Sequence, residues 1–345
     1  MLDRRDFVTW TLGAAVAASA GVYPGIATAA PPGDWRNLLI INALGDLEDP
    51  NPVPGAQPQS GPVGGVEPLA LNERAIKDAL ASGLNAINVT LGYVSGDMEP
   101  FEYTISEIGR WDAIVRARST RLMRIYDASD IQRARAEHKV GVIYGFQNAA
   151  MVGTHPERVD IFANLGVRVI QLTYNPANPL GDGSMAPENR GLTPLGHAVV
   201  ERLNARRVMV DLSHSGQQTC LDAARSSKQP ISINHTGCRA LNDVPRNKTD
   251  EELRLVATRG GFVGIYFMPF LNPTGHAKAD DVVAHIEHAV ELVVERMGWG
   301  EIGRARRHMD ELAVAEPQLV DPARAWPGGI HKGNRPRVFR HRDVE

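Results

Sequence analysis

MVDLSHSGQQTCLDA, residues 209–223, and ISINHTG, residues 231–237, decide how this chain folds. Each opens on a short apolar-rich run, the texture of a parallel strand covered on both faces. Each run then gives way to polar residues: Asp211-Leu212-Ser213-His214 in the first, Asn234-His235-Thr236-Gly237 in the second. Between them Ser215–Ser226 has helical period. Strand, helix and strand within roughly thirty residues make a βαβ unit, in which both strands end at the same edge of the sheet. Neighbouring strands lie about 4.8 Å apart, so His214 and His235 are predicted to stand within reach of one another. Two neutral imidazoles so placed suit a metal such as zinc. The competing reading has each ring hydrogen-bonded to a loop carbonyl.

The same alternation extends in both directions. Further strands are predicted at Leu38–Asn42, Ala86–Leu91, Val140–Phe146, Val167–Thr173 and Phe262–Phe267, with Val208–Leu212 and Pro230–Asn234 around the two histidines. Helices are predicted at Leu69–Ser82, Ile105–Ala128, Ala128–His138, Pro156–Leu165, Thr193–Asn204, Ser215–Ser226, Thr249–Arg259 and Asp280–Met297. Asp130 and Thr249 occupy N-cap positions, and Thr249 with Glu252 reads as a capping box. Seven visible strands in a βαβα order are best satisfied by a (β/α)8 barrel. An open doubly wound sheet is the runner-up, but no G-x-G-x-x-G follows the first strand. Long Pro/Gly-rich loops at 48–67 and 175–192 fall on the face where a barrel builds its active site.

The chain has 345 residues, 43% of them hydrophobic and 22% charged, enough for a sizeable core. A formal charge of −3 offers no basic footprint for nucleic acid, and two cysteines exclude a disulfide scaffold. No stretch beyond residue 30 is apolar enough to span a bilayer. Residues 1–30 combine Arg4-Arg5-Asp6-Phe7, an apolar run from Val8 to Val22, and Ala27-Thr28-Ala29. They read as a twin-arginine signal peptide, implying a periplasmic or exported protein. Residues 31–297 read as the barrel, and 298–345 as an Arg/Pro-rich tail in which the eighth strand is due and not visible. Such a tail suits either a diverged or a frameshifted end. If the eighth strand is missing, the barrel has an open edge between its last visible strand and its first.

These segments, together with Ile143–Asn148, Leu165–Gly183, Gly191–Asn204, Ile231–Arg254 and Gly260–Leu271, resemble the membrane (renal) dipeptidase family of zinc-dependent (β/α)8 hydrolases. The resemblance runs over roughly residues 36–297 and is densest from 140 to 271. It implies a hydroxide generated on zinc that attacks a peptide carbonyl. By this resemblance His214 and His235 are metal ligands, and Arg246 holds the substrate carboxylate.

The chain departs from the family pattern elsewhere. The first metal motif reads Leu44-Gly45-Asp46, keeping the aspartate and losing the histidine. Gln147 stands where the bridging glutamate is expected, Tyr174 replaces a substrate-contacting histidine, and nothing after Met297 matches the segment that carries the proton-transferring aspartate. A neutral bridge between two dications is electrostatically poor. The expectation is therefore one zinc ion rather than two, on His214 and His235, with Asp46 and Gln147 as the remaining metal positions. Tyr174 and Arg246 are the expected substrate contacts, and Asp211 is a candidate partner for an imidazole. The primary reading is a metallo-dipeptidase cleaving a dipeptide or an N-acyl amino acid. The alternatives are a non-catalytic protein of the same fold binding a small peptide or amino acid, and a structural product of a damaged gene. The assembly is open between monomer and homodimer.

Overall fold

The computed structural model describes residues 38–47, 71 and 73–294. The expectations for the signal at 1–30 and for the tail at 298–345 lie outside the described residues.

Among the described residues eight strands run β1 Ile40–Gly45, β2 Leu84–Thr90, β3 Leu122–Arg124, β4 Val140–Phe146, β5 Val167–Gln171, β6 Met209–Asp211, β7 Ser232–Thr236 and β8 Phe262–Ile265. The described α-helices between or after them are α1 Glu73–Ala81, α2 Pro100–Ala117, α3 Ala128–Ala136, α4 Arg158–Asn164, α5 Pro194–Ala205, α6 Gln217–Ser226, α7 Asp250–Thr258 and α8 Ala279–Val294. All strand pairings are parallel, in the spatial order β1-β2-β4-β5-β6-β7-β8. This is a (β/α) barrel curled almost to closure. Among the described residues no ladder joins β8 to β1, so one seam is unsealed. Of the described helices, none is long and apolar enough to cross a membrane.

The structure corrects the sequence reading at two places. Ile105–Ala128 is not one helix: α2 stops at Ala117, and the short β3 follows. Both β2 and β3 pair with Gly141 and Val142 of β4, so they must lie on opposite edges of that strand. On the edge opposite β2, β3 covers the first half of β4 and β5 the second. Only Leu122 of β3 is buried, too little apolar pattern to announce a strand. It is held by Arg124, which pairs with Asp112 and lies 3.9 Å over the Tyr144 ring, while the Tyr144 hydroxyl donates to Asp112 at 3.0 Å. The second correction concerns capping. Asp127, not Asp130, is the N-cap of α3, and Asp130 closes the box three residues on. The Thr249–Glu252 capping box of α7 forms as expected.

One continuous core lies inside the barrel and under its helices. Val89, Val142, Ile170, Val210 and Ile233 come from successive ring strands, and Trp111, Leu203, Ala223 and Val256 from the helices. At about 25 cal/mol per Å2 of apolar surface removed from water, this burial is the main force closing the ring.

Candidate active site

The carboxyl ends of β6 and β7 deliver the two histidines, though not symmetrically. His214 follows β6 by three residues, whereas His235 lies within β7 itself. Their ring centroids are 4.9 Å apart at an interplanar angle of 60°. The structure thus brings together the pair on which the functional reading depends. His214 Nδ1 lies 2.7 Å from Asn175 Oδ1, and an amide oxygen only accepts. Nδ1 therefore carries the proton, and Nε2 keeps its lone pair. Both ring nitrogens of His235 are buried without a hydrogen-bond partner. Leaving such atoms unpaired costs about 1–3 kcal/mol each, so the arrangement makes most sense with a ligand.

Burial holds both imidazoles well below the usual histidine range, and the neighbouring Arg246 and Lys248 cations push in the same direction. The rings are therefore neutral near pH 7, the form that coordinates metal.

Around them stands an aromatic wall. Tyr174 stacks on His214 with centroids 4.3 Å apart, and Tyr266 lies 6.4 Å from His235. Tyr174 is held by its loop. Gly183 packs into the carbonyls of Tyr174, Asn175 and Pro176, where a Cβ would come within 2.0–2.5 Å of the three oxygens. Arg246 is buried, donates to the Ser213 carbonyl at 2.6 Å and lies 5.6 Å from the Tyr266 centroid. Asp211 is buried too, and desolvation raises its pKa against the hydrogen bonds from Asn234 and Ser213. The buried Lys248–Glu252 pair, 3.1 Å apart, supports the same end of the barrel. A cavity of about 200 Å3 lined by Ser215, Gly216, Pro245 and Lys248 opens beside the two imidazoles rather than onto them.

Of the other metal positions expected from sequence, Asp46 joins no metal-holding group with the two histidines among the described residues, and Gln147 is bonded elsewhere. Asp46 is exposed just past β1. Gln147 is half-buried past β4, and its side-chain amide donates to Thr90 Oγ1 at 2.7 Å. Among the described residues no His, Cys, Asp or Glu joins His214 and His235 in a group of three able to hold a metal. His285, in contrast, is structural: its Nδ1 accepts from the Cys238 amide at 2.7 Å, and Nε2 lies 3.0 Å from the Leu271 carbonyl. Sequence reasoning missed Asn175, Ser213 and Tyr266. Tyr266 could have been found, because it directly follows the last residue of β8.

A parallel barrel carrying paired imidazoles and a buried arginine at the carboxyl ends of its strands is the arrangement in which a hydrolase of the metal-dependent dipeptidase class places its site. The sequence profile of the membrane dipeptidase family, peptidase family M19, matches residues 76–306, and the chain belongs to that family. An uncharacterised Klebsiella pneumoniae protein from the pqqA 5′ region is 27% identical over 246 residues, covering 67% of this chain and 90% of that protein. Dipeptidase tcpJ of Claviceps purpurea is 29% identical over 204 residues, covering 58% of this chain and 47% of the fungal enzyme. The chain therefore spans nearly all of one relative and about half the length of the other. Among solved structures, an amidohydrolase from Pseudomonas aeruginosa superposes with a TM-score of 0.64 at 29% identity, covering 75% of this chain and 72% of that one.

Proposed function

We propose that this chain hydrolyses dipeptides or N-acyl amino acids and that its mouth holds a single zinc ion on His214 and His235. The observation that carries the reading is the pair of neutral rings 4.9 Å apart, one of them with both nitrogens buried and unpartnered. The donor set fits one ion. It does not fit two, because the side chain at the β4 end is a neutral amide already bonded to Thr90 and two dications need anions between them. Water would complete the coordination, since among the described residues Asp46 joins no metal-holding group with the two histidines.

A zinc ion held there supplies a nucleophile from water near neutral pH. The chain's own residues do the rest. Arg246 presents a planar fork suited to a substrate carboxylate, and burial in the mouth strengthens that pairing. Tyr174 keeps its phenolic proton, since burial raises its pKa more than Arg246 lowers it. It can therefore donate to the oxygen on which charge develops. The position expected for the proton-transferring aspartate lies outside the described residues.

A metal count on purified protein, combined with hydrolysis of a small dipeptide panel with and without added zinc, tests the reading. About one zinc per chain with zinc-dependent turnover is expected. No bound zinc and no turnover would overturn it, and retained peptide binding in that case would favour the non-catalytic alternative. We further propose export by the twin-arginine route. Replacing Arg4 and Arg5 by Lys is then expected to leave the protein in the cytoplasm.

A further inference from the structure

The β6–β7 ladder is very short. Its only register pair is Asp211 with Ser232, and the Leu212 amide adds one bond to the Ser232 carbonyl at 2.9 Å. Beyond that point, where the two histidines begin, side chains take over the work of a ladder. Asp211 Oδ1 accepts from the Asn234 amide at 3.0 Å, and Ser213 Oγ accepts from the His235 amide at 3.1 Å.

Ser213 is wholly buried, and each of its polar groups is committed. Its amide donates to Asp211 Oδ1 at 3.0 Å, and its hydroxyl proton goes to the same oxygen. Its carbonyl takes Arg246 Nη1 at 2.6 Å. One residue thus touches the backbone of the unpartnered histidine and the guanidinium of the carboxylate-holding arginine, while a buried carboxylate clamps it in place. A serine serving only to end a strand would need the local bonds to Asp211 at most, not those to His235 and Arg246.

We propose that Ser213, clamped by Asp211, is a positioning residue that fixes the His235 ring and the Arg246 guanidinium relative to each other, coupling the metal-holding and carboxylate-holding halves of the mouth. The role rests on the function proposed above but is read out separately from it. Removing the hydroxyl leaves the His235 amide buried without its acceptor and takes away one of the two bonds to Asp211 that hold the strand end carrying the Arg246-bound carbonyl. The His235 ring and the Arg246 guanidinium are then expected to shift together.

The test is 1H–15N NMR of the full-length, metal-free protein, following the His235 ring and the Arg246 Nε–H, with signals assigned from H235Q and R246K. In S213A both sets of signals are expected to shift, and in Ser213→Thr, which keeps the hydroxyl, both are expected to return. Dissociation constants for zinc and for N-acetylalanine are each expected to rise about tenfold in S213A, the lower end of what losing a partner behind a ligand costs. If only one set of signals moves, or neither, or if the threonine variant fails to restore them, the proposal is overturned. If S213A does not fold, Asp211→Asn, which keeps the accepting oxygen but loses the charge, must give the same paired shift at smaller size, and unmoved signals there overturn the proposal. Should the parent protein bind neither zinc nor N-acetylalanine while the paired shift still appears, the functional reading fails and the positioning role stands.

Discussion

The two halves of the barrel mouth carry opposite chemistry. On the β6–β7 side stand two neutral imidazoles, a buried guanidinium and a buried carboxylate, locked to one another by hydrogen bonds between strand ends. On the β1–β4 side Asp46 is exposed, and the half-buried Gln147 donates to Thr90. The difference teaches that ligand-holding capacity in this chain belongs to one half of the ring. The other half supplies fold without joining a carboxylate to the histidine pair.

The comparison can be broken most directly at His235. His235→Ala is expected to lower dipeptide turnover by at least about a hundredfold, more than the loss of an outer partner costs, and to abolish stoichiometric zinc binding. Zinc binding and turnover that survive would move the chemistry to the other half. Arg246→Lys is expected to raise KM about thirtyfold with a smaller change in kcat, since a point charge cannot reproduce the fork. Steady-state kinetics on a dipeptide with a free carboxylate measures the split, and an unchanged KM would free Arg246 of that role. Gln147→Glu sharpens the contrast from the neutral side. It is expected to tighten zinc binding about tenfold by returning an anion to the β4 end, as read by competition with a chelator.

The smallest effect concerns pH. The folded pKa of His235 is depressed, so below about pH 6.5 the unfolded chain binds a proton that the native state refuses. Native stability therefore falls as pH drops through that window and levels off above it. In His235→Gln this contribution is gone. The slope of stability against pH just below 6.5 is then expected to be shallower by up to about 1.4 kcal/mol per unit, measured by urea unfolding at a series of pH values. Equal slopes in the two proteins would place the ring in solvent rather than in the buried mouth.

Much of this half was legible in the linear order of residues. Apolar runs break into Asp-Leu-Ser-His and Asn-His-Thr-Gly at equivalent places in a βαβ unit, and parallel strands end on one edge by geometry alone. The other half was harder to read. β3 was hidden because three residues with a single buried side chain give no period, and its existence depends on Arg124 finding Asp112 and Tyr144 from other segments. Asp130 looked like a cap because an acid at a helix start is a sound signal, but Asp127, three residues earlier, captured the free amides first. The structural role of Ser213 was not legible, because a serine beside a histidine has no signature in sequence. Its importance lies in partners 22 and 33 residues away.

The amino-acid order by itself determined the alternation of strands and helices, the common edge at which His214 and His235 emerge, and the departures from the family pattern at Leu44, where a histidine is lost, and Gln147, where an anion is lost. These follow from local pattern and residue charge, which require no knowledge of neighbours. Tertiary structure alone decided that the two rings meet in a buried, cation-flanked cup, that Asp46 joins no metal-holding group with them, and that the ring of described strands leaves a seam between β8 and β1. The physical reason is that desolvation and hydrogen-bond satisfaction are properties of assembled surfaces. No residue carries them until distant segments have packed around it.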